Sequence, residues 1–171
     1  MHNFQPFPIS TLEFNPFQLI GQQWGVATVE VGDKINTTTV NWGGMGVAWE
    51  KNVAFLMLKD SRYTKELLDQ ADTFSYTFFD PDQKKYKMSM KYLSAVSGRN
   101  EDKLTAAGLT VNRTMKVPFI DEGNFVLLLR KLATVPIPAE ALAKETMVET
   151  FYPDNDFHTI FIAEILDILA R

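Results

Sequence analysis

The chain has 171 residues, a formal net charge of −4 at pH 7 and no cysteine, and 46% of its residues are hydrophobic. That length and apolar content predict one folded domain, residues 1–171, with a sizeable core. The lack of cysteine excludes disulfides, iron–sulfur ligation and thiol catalysis, so redox chemistry would need a cofactor. Singly scattered basic residues argue against nucleic acid, and with no signal peptide or membrane-length apolar run in the sequence we expect a cytoplasmic protein.

Six segments show the alternation or β-branched enrichment of strands: residues 24–31, 35–41, 53–59, 73–79, 125–134 and 158–168. Helices are predicted over residues 63–71, 83–93, 100–107 and 138–144, with Ser61 capping the first and Gly108 ending the third. Strands and crossover helices do not alternate regularly, which disfavours a doubly wound parallel sheet. We therefore predict a mainly β fold, an antiparallel barrel of Greek-key type with inserted helices.

A hydroxyl-rich segment runs into three glycines at Thr37-Thr38-Thr39-Val40-Asn41-Trp42-Gly43-Gly44-Met45-Gly46. Backbone amides, short polar groups and glycines that permit close approach are what a flat heteroaromatic ring requires. The same residues also suit a β-bulge or a barrel corner. Their chemistry alone favours this second interpretation.

Two segments have the composition of an anion site at a turn that enters a helix. In Lys59-Asp60-Ser61-Arg62-Tyr63-Thr64, hydroxyls and a guanidinium meet the unpaired amides of a helix start. In Ser97-Gly98-Arg99-Asn100-Glu101-Asp102-Lys103, one Arg and one Lys follow a glycine turn. Plain N-caps explain each segment equally well, with Ser61 in the first and Ser97 or Asn100 in the second.

The acidic turn Tyr152-Pro153-Asp154-Asn155-Asp156-Phe157-His158 leads into a strand that begins with one of only two histidines. A lone histidine at a strand start is commonly a hydrogen-bonded structural residue rather than a general acid. We expect the other, His2, to lie in a disordered tail, which leaves no support for a histidine-based metal site. No nucleophile elbow, P-loop or zinc-protease motif is present, so hydrolase functions are disfavoured.

Together and in this order, the four segments resemble the flavin-reductase-like family of FMN-binding split barrels, especially its flavoredoxin branch. The resemblance covers residues 25–168. It implies a homodimer of small antiparallel split β-barrels, with one FMN per subunit in a groove near the subunit interface. The sequence departs from the family pattern at three positions. Asp60 stands where proline is common, Leu93 stands where cysteine is often found, and Ala163 stands where a glycine usually follows the histidine strand.

The resemblance also implies roles for individual residues. The isoalloxazine ring would face the segment that contains Thr37, Thr38, Thr39, Asn41, Trp42 and Gly43. The phosphate end would be held by Ser61, Arg62, Tyr63 and Thr64, and the pocket would be completed by Ser97, Arg99 and Lys103. His158, in Asp156-Phe157-His158, resembles a segment near the nicotinamide site of related reductases, which implies a catalytic role on the reductant side.

Three functions remain open at this point. The first is an FMN-dependent oxidoreductase that takes hydride from NADH or NADPH and passes electrons to free flavin or to another small-molecule or protein acceptor. The second is a flavoredoxin-type electron carrier that a protein partner reduces. The third is a non-catalytic split barrel that binds a different ligand. The sequence does not separate them, because nicotinamide access depends on a few groove contacts.

Overall fold

A computed structural model describes residues 1–171, and most of its regular structure is strand. The strands are β1 Gln5–Pro6, β2 Gly25–Val31, β3 Lys34–Val40, β4 Gly43–Ala48, β5 Lys51–Lys59, β6 Thr73–Phe78, β7 Val111–Asn112, β8 Phe119–Ile120, β9 Phe125–Pro136 and β10 His158–Ala170. The α-helices are α1 Tyr63–Gln70, α2 Lys84–Ala95, α3 Lys103–Ala106 and α4 Glu145–Phe151. Short 3₁₀ turns lie at Ile9–Thr11 and Ala139–Ala141, and a π-helical segment at Phe17–Gln23. No helix has both the length and the apolar character that a membrane crossing demands.

The main sheet has the strand order β3-β2-β6-β9-β10-β5-β4, with β1 added beside β10, and all of its paired strands are antiparallel. Its central strands contribute buried side chains to one shared core, which also includes Leu67 and Leu68 of α1. Across that core the Tyr76 hydroxyl donates to the Val40 carbonyl at 2.9 Å, joining β6 to β3. The sheet therefore curves around a common interior, and the prediction of an antiparallel β fold with inserted helices is confirmed.

The glycine-rich segment after β3 is a strand, not a bulge, corner or loop. Gly43–Ala48 pairs with β5 in register from Gly43 opposite Leu56 to Ala48 opposite Lys51. The hairpin is closed by Trp49 and Glu50, both with positive φ (49° and 58°), as a tight two-residue turn requires. A Cβ at Gly43 would lie 2.2 Å from the Phe55 carbonyl oxygen, so glycine is needed for this pairing.

Two helix predictions were wrong in position. The chain around residues 138–144 forms only a 3₁₀ turn and is extended again at Leu142 (ψ 133°), and the helix follows at Glu145–Phe151. The helix expected over residues 100–107 begins at Lys103, because the Asp102 carboxylate accepts from the Thr105 amide at 3.2 Å and is the cap instead of Ser97 or Asn100.

The expectation of a disordered tail at His2 was also wrong. The His2 backbone amide and its Nδ1 lie 3.0 and 2.9 Å from the carboxylate of Asp121, a buried residue that also accepts from Asn112 Nδ2 at 2.6 Å. These contacts fix the start of the chain against the loop before β9. A single histidine beside one carboxylate does not make a metal site, because zinc needs three or four ligands.

Candidate functional site

A cavity of about 220 Å³ lies where β3, the start of α1 and the segment after α2 meet. We call it the basic pocket. Its wall contains the following residues for which the sequence predicted a role in cofactor binding: Thr38, Ser61, Arg62, Tyr63, Thr64, Ser97, Arg99 and Lys103. Three segments that are distant in the sequence therefore converge on one site.

Strand β3 supplies one wall through alternate residues. Asn36 and Thr38 both line the basic pocket, as the two-residue period of a strand requires. Asn36 Nδ2 donates to Thr64 Oγ1 at 2.8 Å, which ties β3 to α1. On its other side Asn36 packs so tightly that a Cβ at Gly98 would lie 2.1 Å from its Oδ1. Sequence reasoning did not identify Asn36 as a site residue, because only its contacts with Thr64 and Gly98 distinguish it.

The Thr38 hydroxyl is buried and has no hydrogen-bond partner in the protein. A buried polar group without a partner is costly, and native structures contain few of them. Because Thr38 lines the basic pocket, a polar ligand there would complete its hydrogen bonding.

The start of α1 presents backbone amides and the Arg62 guanidinium. Ser61 does not cap the helix, contrary to the prediction, because its amide and its hydroxyl donate to the Asp156 carboxylate at 3.0 and 2.7 Å. The cap position is held by Arg62, which has no side-chain capping bond. The Lys65 amide donates to the Arg62 carbonyl at 2.9 Å, whereas the amides of Tyr63 and Thr64 have no backbone partner and remain available to an anion. Arg62 Nη1 is anchored on the Ser94 carbonyl at 2.9 Å.

Lys103 is a buried cation with no carboxylate partner. Its Nζ lies 3.2 Å from the Leu93 carbonyl and 3.3 Å from that of Val96, at the end of α2. Burial, with a smaller contribution from the positive charge of Arg62, lowers the pKa of Lys103 to about 8. An anion in the basic pocket would supply the missing counter-charge.

Arg99 joins the loop after α2 to α1. Its Nη1 donates to the Ser61 carbonyl at 3.0 Å, and its Nη2 pairs with the Glu66 carboxylate at 2.6 Å. The guanidinium also lies 5.2 Å from the centre of the Tyr63 ring, within cation–π range. This exposed arginine therefore holds two walls of the basic pocket together.

The remaining residues proposed for the ring lie outside the basic pocket. The Thr37 hydroxyl donates to the Ala27 carbonyl at 2.9 Å and lies 3.0 Å from the Thr28 hydroxyl, so its bonds are made within the sheet. The other predicted ring-facing residues outside the pocket are Thr39 near the end of β3, Asn41 and Trp42 beyond that end, and Gly43 at the start of β4.

A second group of side chains surrounds His158, which is buried at the start of β10. The Trp42 ring lies 4.8 Å from the His158 ring at 35°, and the Tyr152 hydroxyl lies 2.9 Å from His158 Nδ1. Burial and the positive charge of Lys59 lower the pKa of His158, although Asp156 opposes the shift. Asp156 also binds Ser61, so this group adjoins the α1 end of the basic pocket. Tyr152 was missed as a site residue because nothing in the sequence shows its contact.

Neither a protein-family model nor a curated protein matches the sequence. Solved structures do resemble the fold. An FMN-binding domain of a flavin reductases-like enzyme from Shewanella baltica has a TM-score of 0.68 at 13% identity, covering 98% of this chain and 77% of that one. Flavoredoxin from Methanosarcina acetivorans has a TM-score of 0.67 at 19% identity, covering 87% and 68%. An NADH:FAD oxidoreductase from Streptomyces globisporus has a TM-score of 0.61 at 14% identity, covering 87% and 75%. The chain therefore has the split β-barrel fold of these proteins.

Proposed function

We propose that this protein binds FMN and is an oxidoreductase that passes electrons from NADH or NADPH to free flavin or another acceptor. The observation that carries the proposal is the basic pocket, where Arg62, Arg99 and Lys103 converge beside the unpartnered Thr38 hydroxyl. Similar structures that are described as FMN-binding domains or flavoredoxins support it through the shared fold.

The residues of the basic pocket fit a phosphate monoester. Arg62 and Lys103, which form no ion pair with a carboxylate, offset its dianionic charge, and the Tyr63 and Thr64 amides of α1 add donors at the positive end of the helix dipole. Ser97 and Tyr63 add hydroxyls, and Thr38 and Thr64 do so from buried positions. A volume of about 220 Å³ suits a phosphate and part of the sugar-alcohol chain, so the flavin ring would extend out of the pocket.

We infer that the ring lies along the β3–β4 connection, against Thr39, Asn41, Trp42 and Gly43. Bound FMN supplies a reversible hydride acceptor, and the protein contributes binding and orientation. His158, held between Trp42 and Tyr152, is then the proposed catalytic residue on the reductant side. Its lowered pKa keeps the imidazole neutral near pH 7, so it offers a hydrogen bond without a positive charge.

We also propose that the protein is a homodimer. The outward faces of β5, β9 and β10 place apolar side chains next to one another, with Ile160 opposite both Met57 and Val135 and Ile162 opposite Phe55. All five side chains are exposed or half-buried. An apolar face shared by three adjacent strands suits a second copy of this chain, and light scattering of the purified protein tests this.

The test of the redox role is reduction of the FMN-loaded protein under anaerobic conditions. We expect NADH or NADPH to bleach the oxidised-flavin band within seconds, because hydride transfer needs positioning more than acid–base chemistry. An FMN-loaded protein that neither nicotinamide reduces would instead favour the electron carrier. Failure to take up FMN would exclude both functions.

A further inference from the structure

Tyr152 and His158 form an isolated buried pair. Tyr152 is 3% exposed and His158 is 8% exposed, and their contact is the Tyr152 hydroxyl to Nδ1 distance of 2.9 Å. The hydroxyl has no other partner in the protein. Tyr152 is itself held in place, because its amide donates to the Val148 carbonyl at the end of α4 and its ring packs 4.9 Å from that of Phe157.

The chemistry of the two groups fixes the direction of this hydrogen bond. A neutral imidazole has one N–H and one acceptor nitrogen, whereas a phenol has one proton to donate. If Nδ1 carried the proton, the buried Tyr152 hydroxyl would be left without an acceptor. If the hydroxyl donates to Nδ1, both groups are satisfied and the imidazole proton lies on Nε2. Burial raises the pKa of Tyr152, which is consistent with a protonated phenol.

Nε2 is the ring nitrogen that remains for a ligand. It has no hydrogen-bond partner in the protein and is not among the enclosed, unpartnered polar atoms, which are Thr38 Oγ1 and Asn124 Oδ1. The Trp42 ring lies 4.8 Å from the imidazole, tilted by 35°, and this contact restricts rotation of the imidazole. The imidazole therefore presents one nitrogen, in one orientation, beside the β3–β4 connection.

We propose that Tyr152 is a positioning residue that donates to His158 Nδ1 and thereby holds His158 as the Nε2–H tautomer. This rests on the proposed function in one respect, that His158 contacts the reductant. The Nε2–H group is then a fixed donor to a carbonyl oxygen, such as that of a nicotinamide carboxamide. Without Tyr152, a solvent-exposed or rotated imidazole would divide its proton between both nitrogens.

The tautomer is measured directly by long-range ¹H–¹⁵N correlation NMR of the full-length protein at a pH where the imidazole is neutral. The chain has only two histidines, so His2 is an internal reference. We expect a pyridine-type Nδ1 and a pyrrole-type Nε2 for His158, and mixed values in Tyr152→Phe with His2 unchanged. Tyr86→Phe, which alters a buried tyrosine of a core cluster that contains neither Tyr152 nor His158, is the matched control. A pyrrole-type Nδ1 in the native protein, or no change in Tyr152→Phe, would overturn the proposal.

Kinetics then test whether the tautomer matters. We expect Tyr152→Phe to slow reduction of the FMN-loaded protein by nicotinamide roughly three- to tenfold, the loss of one neutral hydrogen bond, without weakening FMN binding. In a His158→Ala background the same change should have no further effect, because Tyr152 acts through His158. An equal loss in both backgrounds would refute the positioning role. Absence of nicotinamide reduction in the native protein would reject the proposed function and leave the NMR result standing.

Discussion

The basic pocket and a larger cavity of the molecule differ in the burial and the pairing of their polar groups. A cavity of about 490 Å³ lies between the π-helical segment and α2, and we call it the N-terminal cavity. It contains Lys87 and Lys91, and two of its other polar groups are used internally: Trp24 Nε1 donates to the Gly21 carbonyl and Gln23 Nε2 to that of Phe79. The basic pocket has less than half that volume, yet three cations and a buried unpartnered hydroxyl converge there. The buried Lys103, which has no counter-charge, and the buried unpartnered Thr38 hydroxyl, rather than volume, identify the site.

The largest expected effect comes from removing the central cation. We expect Arg62→Ala to weaken FMN binding by roughly ten- to a hundredfold, since one charge-assisted contact is worth about 1.5–3 kcal/mol. Lys91→Ala, the matched change in the N-terminal cavity, should leave FMN affinity unchanged. Both are measured by calorimetric titration of flavin-free protein. A similar loss in both variants would remove the distinction between the two cavities.

A smaller effect is expected from pH, through Lys103. Because its pKa is about 8 in the flavin-free protein, its charge is lost as the pH rises from 7 to 9, and FMN affinity should fall by up to about tenfold. The phosphate stays dianionic over that range.

The same lysine should also make stability depend on pH. In the unfolded chain the pKa of Lys103 is higher, near 10.4, so the stability of flavin-free protein should rise between pH 8 and that value. In Lys103→Met both trends should disappear, and a pH-dependent affinity in that variant would assign the titration to another group.

The smallest effect on FMN affinity is expected from Thr38, and the adjacent Thr37 should behave differently. Thr38→Val should weaken FMN binding about two- to tenfold and leave the flavin-free protein equally or more stable, because its hydroxyl is buried without a partner. Thr37→Val should do the reverse, lowering the free energy of unfolding by about 1 kcal/mol with little change in affinity, since its hydroxyl bonds Ala27 and Thr28. Urea denaturation and FMN titration of both variants decide this. Equal effects of the two changes on affinity would contradict the assignment of Thr38 to the basic pocket.

Strand and helix content followed from the sequence where side-chain periodicity is strong. The six predicted strands correspond to β2, β3, β5, β6, β9 and β10, and the helix predicted over residues 83–93 corresponds to α2, on which Tyr86, Met90 and Leu93 form a buried stripe at helical spacing. Strand β4 could not be predicted, because glycines have low strand propensity and Trp49-Glu50 lacks the Asn-Gly or Asp-Gly signal of a tight hairpin.

The site was only partly visible in the sequence. Residue types typical of an anion site identified Arg62, Arg99 and Lys103 in two separate segments, and the fold brings them together. What the sequence lacks is the partner of each side chain. Ser61 is a good cap by composition but bonds Asp156, which is 95 residues away along the chain. Tyr152 and Asn36 acquire their importance from contacts that only the folded chain creates.

The most direct test compares FMN with riboflavin, which has the same ring and side chain without the phosphate. Flavin-free protein is titrated with each, in the native form and as Arg62→Ala. If the basic pocket binds the phosphate, FMN should bind at least about a hundredfold more tightly than riboflavin, since several charge-assisted contacts are involved. In Arg62→Ala that preference should fall by ten- to a hundredfold, while riboflavin affinity stays the same. Equal affinity of the native protein for FMN and riboflavin would contradict the assignment of the basic pocket to a phosphate.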